Sequence, residues 1–293
     1  MKAFVFPGQG SQQIGMGKKL YEYSEVSKKL FNMADKIMQF EISKIMFEGS
    51  SDDLKKTKNT QPAIFIFSVI KSILLKNNFN PDFVAGHSLG ELSALTSVGV
   101  LSFEDGLQLV KLRSSAMEES CKILNGGMAA IIGCDNKIIE KICDETNGEV
   151  VPANYNYPGQ LVISGIKSRV EIVNKILIEK GAKRAIMLPV SGAFHSPLMK
   201  TAQKKLEEKI NKIEFNKPKC KIFQNSTGNM ESEPKKIKEN LVSQITSPVK
   251  WSQSIERMIK CGVNNFIEIG PGNVLQGIIK KINKSVEVNS FEL

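Results

Sequence analysis

Apolar and polar residues alternate along this chain in blocks that predict strands followed by helices. Short apolar runs over Lys2–Phe6 and Asp82–Gly86 are typical of buried strands. Pro62 suits the first turn of a helix, and Ser102 suits a helix cap. Strands that alternate with helices predict an α/β fold with a largely parallel sheet. Apolar residues at helical spacing predict helices over Leu20–Met38, Gln61–Lys76, Leu89–Val98 and Phe103–Ser120.

The middle of the chain has a different order of elements, which is β-α-β-β-α-β. This order is the ferredoxin-like arrangement, and it predicts an inserted subdomain over residues 125–190 with Asn125-Gly126-Gly127 as its entry hinge. Residues 1–124 and 191–293 would then form one core. The predicted segments are Met128–Gly133, Asn136–Thr146, Val150–Ala153, Gln160–Ser164, Ser168–Lys180 and Arg184–Val190.

The last third of the chain returns to helices and a buried strand. Ser196-Pro197 is a helix start signal, with apolar residues at helical spacing as far as Ile213. Asn265–Ile269 predicts a buried strand, which Gly270-Pro271-Gly272 and a final helix follow.

Composition narrows the class of protein. A chain of 293 residues with 41% hydrophobic and 24% charged residues is neither disordered nor fibrous. Its five cysteines are an odd number without a C-x-x-C pair, which argues against a disulfide framework and against a zinc or other metal site. We therefore expect structural cysteines in a reducing compartment. No apolar stretch reaches the roughly 20 residues that span a bilayer, so we expect a cytoplasmic protein.

The net charge of +10 favours acidic partners, because a positive surface raises their local concentration. Such partners include nucleic acid, anionic lipid, a phosphorylated cofactor and an acidic protein. The basic residues are not interleaved with aromatic residues as a surface for single-stranded nucleic acid requires. An ordinary solvated surface explains the charge equally well.

The pentapeptide Gly86-His87-Ser88-Leu89-Gly90 is the sharpest local signal. It matches G-x-S-x-G between a strand and a helix, where a sharp turn exposes a nucleophilic serine. Ser88 and Glu91 also match a helix capping box, which is the structural alternative. The strand before the motif and its two glycines favour the nucleophile.

A nucleophilic serine needs a base, and the chain has only two histidines. His87 is adjacent to Ser88 and would point elsewhere on a tight turn, so a supporting role suits it better. His195 lies in the loop Ser191–His195 before a helix, where catalytic groups often collect. An ordinary exposed loop histidine is the alternative. The order Ser then His matches α/β hydrolases, but no acid residue lies where theirs does, so a backbone carbonyl could orient the ring.

Two further features could bind an anion. Phe6-Pro7-Gly8-Gln9-Gly10-Ser11-Gln12 is a glycine-rich turn after a strand, whose N–H groups could form an oxyanion hole or bind phosphate. It lacks the Gly-Lys-Ser/Thr ending of a P-loop. Arg113 is the only arginine of its predicted helix and could hold a carboxylate with two parallel hydrogen bonds. From the residues alone, a surface arginine is the better interpretation.

Five motifs occur in order along the chain: FPGQGSQ, GHSLGE, VKLR, GAFHSPLM and IEIGPG. Taken together, they resemble the malonyl-CoA:acyl carrier protein transacylase family over essentially the whole chain. The resemblance implies an α/β-hydrolase-like core with the inserted ferredoxin-like subdomain. It also implies Ser88 as the acyl-accepting nucleophile and His195 as general base and acid.

The same resemblance implies roles for further residues. Gln9 and Leu89 would supply the N–H groups of the oxyanion hole, and the backbone carbonyl of Gln244 would orient His195. Arg113 would pair with the free carboxylate of the malonyl group, which reverses the interpretation from the residues alone. Phe194, which precedes His195, implies selection of malonyl over methylmalonyl groups, and Leu89 agrees with that.

The implied reaction moves malonyl from a coenzyme A thioester, which is a substrate, to the phosphopantetheine thiol of acyl carrier protein. The implied enzyme is a monomer in fatty acid synthesis, has no other cofactor and binds an acidic carrier that suits its positive charge. Three alternatives stay open: a serine esterase or thioesterase, the acyltransferase domain of a polyketide synthase, and a non-catalytic scaffold that binds the carrier.

Overall fold

Two β-sheets organise the chain in a computed structural model that describes residues 1–123, 125–190 and 192–291. The predicted domain boundaries at residues 124 and 191 and the chain end at residues 292–293 lie outside the described residues. The strands are β1 Lys2–Phe6, β2 Phe83–Gly86, β3 Gly126–Ile132, β4 Val150–Tyr157, β5 Gln160–Ile166, β6 Arg184–Met187, β7 Lys221–Phe223, β8 Met230–Glu231, β9 Asn265–Glu268 and β10 Glu287–Ser290.

Helices flank both sheets. Short 3₁₀ turns at Lys76–Asn78 and Pro197–Met199 accompany them. The helices are α1 Lys18–Tyr23, α2 Glu25–Met38, α3 Ile42–Glu48, α4 Ser51–Lys55, α5 Thr57–Leu74, α6 Gly90–Ser97, α7 Phe103–Ile123, α8 Asn136–Asp144, α9 Lys167–Glu179, α10 Lys200–Ile210, α11 Pro234–Gln244, α12 Trp251–Lys260 and α13 Val274–Ile282.

The larger sheet has six strands in the order β10-β9-β1-β2-β7-β8. All neighbouring pairs are parallel except β7 and β8. Helices cover both faces, so the central strand β1 carries the continuous apolar run that a doubly covered parallel strand requires. On one face lies the cluster around Trp251 of α12, and on the other lies the larger cluster that contains α5.

The smaller sheet has four antiparallel strands in the order β4-β5-β3-β6. Its elements follow one another as β3-α8-β4-β5-α9-β6, which is the order that the sequence predicted. The glycines of the predicted hinge lie inside β3, where Gly126 pairs with Ile166 and Gly127 with Gly165. The hinge prediction was therefore wrong at these two residues, because they are strand residues at the edge of the insertion.

Main-chain hydrogen bonds join the small sheet to the segment before α12, beside the site described below. Val249, from the segment before α12, lies parallel to β4. Its N–H donates to the Ala153 carbonyl at 2.8 Å, and its carbonyl accepts from the Tyr155 N–H at 2.9 Å. This short pairing extends the edge of the small sheet into the core.

The first two predicted helices differ from those observed. Leu20–Met38 is divided into α1 and α2 because Ser24 adopts an extended conformation and its hydroxyl accepts from the Ser27 N–H at 3.2 Å. Helix α5 begins at Thr57, four residues before the predicted start, so Pro62 lies inside the helix and not in its first turn. The Ser102 cap was predicted correctly, since its hydroxyl accepts from the Asp105 N–H at 3.0 Å.

No helix in the described ranges is long and apolar enough to span a bilayer.

Functional side chains gather at the carboxyl edge of the large sheet, where parallel strands end together. Phe6 and Gly86 are register partners at that edge, and Phe223 pairs with Ala85 one position earlier. The segments that follow these three strands therefore meet.

Candidate active site

Ser88 lies on a sharp turn between β2 and α6. Its φ of 53° is in the left-handed region, which non-glycine residues rarely adopt. The glycines on either side permit the turn, because a Cβ on Gly86 would lie 1.8 Å from the carbonyl carbon of Gly90. A Cβ on Gly90 would lie 2.0 Å from the Phe6 oxygen. The capping-box alternative was wrong: α6 is capped at Leu89 without a side-chain hydrogen bond, and Ser88 Oγ points elsewhere.

His195 is the partner of that hydroxyl. Ser88 Oγ lies 2.7 Å from His195 Nε2. On the other side of the ring, Nδ1 lies 3.0 Å from the Gln244 carbonyl and 3.2 Å from the Ser247 carbonyl. Both are acceptors, so Nδ1 carries the proton and Nε2 is free to accept one. The alternative of an exposed loop histidine was wrong, since His195 is 3% exposed.

Burial, and to a smaller extent the charge of Arg113, lower the pKa of His195 from 6.5 to about 3. The bonds from Nδ1 to the two carbonyls oppose that shift without cancelling it. The imidazole is therefore neutral at physiological pH, which is the form that can take a proton from a serine hydroxyl.

Arg113 approaches Ser88 from helix α7. Its side chain is 3% exposed, so the interpretation as a surface arginine was wrong. Nη2 donates to Ser88 Oγ at 3.1 Å and to Gln244 Oε1 at 3.3 Å, while Nη1 donates to Gln61 Oε1 at 2.7 Å. All three acceptors are uncharged. Burial lowers the pKa of Arg113 to about 10, so the guanidinium keeps its charge at neutral pH.

Two main-chain N–H groups, those of Gln9 and Leu89, follow the paired ends of β1 and β2. Leu89 directly follows Ser88 and precedes helix α6, and Gln9 follows β1 in the glycine-rich turn. In the described part of the chain, neither N–H donates a hydrogen bond to a protein acceptor. Unpaired N–H groups at a helix start are suited to a negatively charged oxygen.

A pocket of about 210 Å³ opens over these groups. The small sheet contributes Met128, Asn154 and Val162 to its wall. Phe194 is buried and forms part of the wall next to His195. Gln9, Ser88, Leu89, Arg113 and His195 line the same pocket. Gln244 is not part of this lining, but it forms hydrogen bonds with Ser88, Arg113 and His195.

His87 does not contact the Ser88 hydroxyl. Its Nε2 lies 3.0 Å from Asn156 Oδ1, and its ring packs edge-on against Trp251 with 5.4 Å between ring centroids. Burial lowers the pKa of His87, so this ring is also neutral. The expectation that it points away from the turn is correct.

Sequence reasoning missed four contacts behind the hydroxyl. The Gln244 amide donates to the Ser88 carbonyl at 2.7 Å, and Gln61 holds Arg113. Asn225 Oδ1 accepts from the Ser88 N–H at 2.7 Å, and Glu91 accepts from the Asn225 N–H at 2.8 Å. Burial raises the pKa of Glu91 to about 7. The one signal that the sequence offered for these residues was a polar residue next to an apolar run. Gln61, directly before the apolar run Pro62–Phe67, is the example.

Comparison with known proteins assigns the chain to a family. The sequence model of the acyl transferase domain matches residues 3–293. The chain belongs to the acyl transferase family. This acyl transferase is 44% identical over 289 residues to a malonyl CoA-acyl carrier protein transacylase of Bacillus subtilis, with 97% of this chain and 91% of the relative covered.

Solved structures agree with that alignment. An acyl carrier protein S-malonyltransferase from Vibrio cholerae superposes on this acyl transferase with a TM-score of 0.95 at 40% identity, covering 99% of this chain and 96% of the other. A malonyl-transacylase solved in complex with its type II PKS acyl-carrier protein has a TM-score of 0.92 at 37% identity, covering 99% and 94%. The family resemblance predicted from the five motifs is confirmed.

Proposed function

We propose that this chain is an [acyl-carrier-protein] S-malonyltransferase that moves malonyl from malonyl-CoA to the phosphopantetheine thiol of acyl carrier protein, in fatty acid biosynthesis. One observation carries the proposal: Ser88 Oγ lies 2.7 Å from a neutral His195 and 3.1 Å from a buried, charged Arg113. A nucleophile, a base and a carboxylate-binding cation thus line one pocket. The relatives that share the whole fold carry the names of this activity.

In the first step, Ser88 Oγ attacks the thioester carbonyl while His195 Nε2 takes its proton. The Oγ–C bond forms, the C–S bond breaks, and coenzyme A leaves with the proton that His195 returns. The oxygen that becomes negative in between would be stabilised by the N–H groups of Gln9 and Leu89. The Gln244 carbonyl holds the ring so that Nε2 faces the hydroxyl.

Arg113 would bind the free carboxylate of the malonyl group. A guanidinium fork can donate two parallel hydrogen bonds to a carboxylate, and Gln61 and Gln244 hold this fork from behind. Its present acceptors are neutral, so a carboxylate is the better partner. This pair would fix the malonyl ester in place between the two steps.

In the second step, the carrier thiol repeats the chemistry in reverse. His195 takes the thiol proton, the sulfur attacks the ester carbonyl, and the C–Oγ bond breaks as Ser88 regains its proton. Coenzyme A thioester enters as a substrate, and no cofactor is required by any step. Phe194 would narrow the pocket beside the reacting carbon, which favours malonyl over a branched acyl group.

The partner that fits is an acidic carrier protein, because this chain has a net charge of +10. The structure of a related malonyl-transacylase with its acyl-carrier protein supports the same kind of partner. We further propose that the chain acts as a monomer in the cytoplasm. The five cysteines are all free, which suits a reducing compartment.

We propose that the chain forms two structural units, a catalytic core and an inserted subdomain. Residues 1–124 and 191–293 would form an α/β-hydrolase-like catalytic core, which is supported by the parallel sheet with Ser88 at its carboxyl edge. Residues 125–190 would form a ferredoxin-like subdomain, which is supported by the β4-β5-β3-β6 order of the small sheet. The subdomain supplies the far wall of the pocket.

Intact-protein mass spectrometry after brief mixing with malonyl-CoA tests the function, with Ser88→Ala as the control. We expect one malonyl-sized mass increment that is absent in the variant and is removed by carrier protein bearing its phosphopantetheine arm. Free malonate released as fast as coenzyme A, without carrier, would show a thioesterase instead. No increment and no malonate would contradict malonyl transfer.

A further inference from the structure

A buried asparagine holds the main chain that leads into the nucleophile. Asn225 follows the short strand β7, which pairs with β2, so it lies next to the turn that carries Ser88. Its Oδ1 accepts from the Ser88 N–H at 2.7 Å, and its Nδ2 donates to the Gly86 carbonyl at 2.6 Å. The side chain is 1% exposed and lies behind the turn, away from the pocket wall.

The Gly86 carbonyl is at the very end of β2, and the Ser88 N–H lies between β2 and α6. In a buried turn, such backbone groups need partners from elsewhere in the fold. Ser88 itself has a φ of 53°, which the local sequence disfavours. One amide that bridges Gly86 and Ser88 satisfies both groups and opposes relaxation of the turn.

Asn225 is in turn fixed by Glu91, which is 0% exposed. Glu91 Oε2 accepts from the Asn225 N–H at 2.8 Å, and Oε1 accepts from the Gln224 amide at 3.1 Å. Because Glu91 lies in the first turn of α6, just after Ser88, the bonds form a closed ring. The ring runs from Ser88 to Asn225, to Glu91 and back along the helix.

We infer that Asn225 is a positioning residue for acyl transfer, which fixes the main chain around Ser88 so that Oγ faces His195 Nε2. The inference rests on the proposed function only in requiring Ser88 as the nucleophile. Asn225 contacts none of the reacting atoms. Its effect is on the orientation of Ser88 and of the adjoining Leu89 main chain, and it leaves substrate binding unchanged.

The test compares Asn225→Ala and Asn225→Asp with wild type and with Asn59→Ala. Asp keeps the volume and the acceptor for the Ser88 N–H but places an oxygen against the Gly86 carbonyl. Asn225→Asp therefore tests the same inference if Asn225→Ala does not fold. Asn59 is the matched control, because its buried amide also donates to a backbone carbonyl, that of Asp53 at 2.9 Å, away from the pocket.

The first readout is the labelling rate of Ser88 by a fluorophosphonate, in which an Oγ–P bond forms as fluoride leaves and His195 takes the proton. The second is acyl-enzyme formation from malonyl-CoA by rapid quench. Circular dichroism fixes a temperature at which every variant is folded. We expect both Asn225 variants to label more slowly, with a loss of about 100-fold for alanine, the scale that a misplacement of about 1 Å produces.

The maximal acylation rate should fall in parallel, while the malonyl-CoA concentration that gives half of that rate stays unchanged. Labelling of the folded Asn225 variants at the rate of Asn59→Ala would overturn the inference. The inference would also be overturned if only the half-saturating concentration of malonyl-CoA changed and the maximal acylation rate did not. The label does not contain malonyl, so slow labelling of the Asn225 variants supports the inference even if wild type fails to accept malonyl-CoA and the proposed function falls.

Discussion

Ser88 and His195 both have left-handed main chains, with φ of 53° and 57°, and their side chains meet at 2.7 Å. Conformations of this kind persist only where the surrounding structure enforces them, and they gather at functional sites. Gly86, Gly90 and Asn225 enforce the one at Ser88. The Ser88 hydroxyl and the His195 imidazole are therefore already aligned before any substrate binds.

The neutral His195 predicts an acid-tolerant first step. Its pKa of about 3 lies below the usual 6.5, so the base form should persist as pH falls through 6.5. We expect the kcat/KM of acylation to stay level between about pH 8 and pH 5, because the base remains unprotonated there. The measurement is the rate of coenzyme A release across that range, with folding followed by circular dichroism.

Glu91→Gln is the control for this profile, since burial raises the pKa of Glu91 to about 7 and a carboxyl near the site could titrate in the same range. An acid limb near pH 6.5 that persists in Glu91→Gln would show that His195 titrates normally, contrary to expectation.

Arg113→Ala should separate two acyl donors. We expect kcat/KM for malonyl-CoA to fall by about 10- to 100-fold, since a hydrogen bond to a charged group contributes about 1.5–3 kcal/mol. Acetyl-CoA has no carboxylate on its acyl group, so its kcat/KM should change much less. Steady-state kinetics with both donors gives the ratio. Equal losses would remove Arg113 from carboxylate binding, and Gln61→Ala should reproduce a smaller share of the malonyl effect.

Phe194→Ala should widen the range of acyl groups. The wild type should prefer malonyl-CoA to methylmalonyl-CoA, because the buried ring lines the pocket beside His195. Accommodation of one extra carbon group in a pocket is worth about 1–3 kcal/mol, so the methylmalonyl-to-malonyl ratio of kcat/KM should rise about tenfold or more. Competition between the two donors in one reaction measures the ratio directly. A wild type with equal rates for both would contradict a role for the ring.

Gly90→Ala should cost folding stability as well as activity. The new Cβ would lie 2.0 Å from the Phe6 oxygen, in backbone that cannot move aside without disturbing β1. Overpacking of this kind costs about 1–3 kcal/mol or more. Gly277→Ala is the matched control, because an exposed helical position in α13 with nothing near its Cβ should gain about 0.5–1 kcal/mol. Urea unfolding of both variants compares them, and equal midpoints would be inconsistent with the close packing.

The sequence could predict β1 and the sharp turn that carries Ser88 because both depend on local pattern. The strand β1 was predicted with its observed ends, and the turn at Ser88 follows from two glycines within five residues. By contrast, β7 has three residues and β10 is mostly exposed, so neither has an apolar run that stands out. Both were missed for that reason.

Site residues that depend on tertiary contacts were beyond local pattern. Asn225 is 137 positions from Ser88, and nothing in its neighbours indicates that the two meet. Arg113 is in phase with the buried Val110 and Met117 of α7, but its charge favoured a surface position. Only the packing of α5 against that helix places Gln61 at the guanidinium. The motif resemblance supplied Arg113 where physical pattern could not, and it supplied neither Asn225 nor Glu91.

The pairing of β4 with Val249 has a consequence for exchanging parts between acyl transferases. The segment that ends at Val249 also contains Gln244 and Ser247, whose carbonyls face His195 Nδ1. A chimera that receives residues 125–190 from a donor protein would therefore acquire a new pocket wall together with the donor's β4. That strand is matched to the donor's own version of residues 244–249, and not to the recipient's. Transplanting residues 125–190 and 244–249 together would preserve the pairing of β4 with Val249, and with it the alignment of the His195 imidazole.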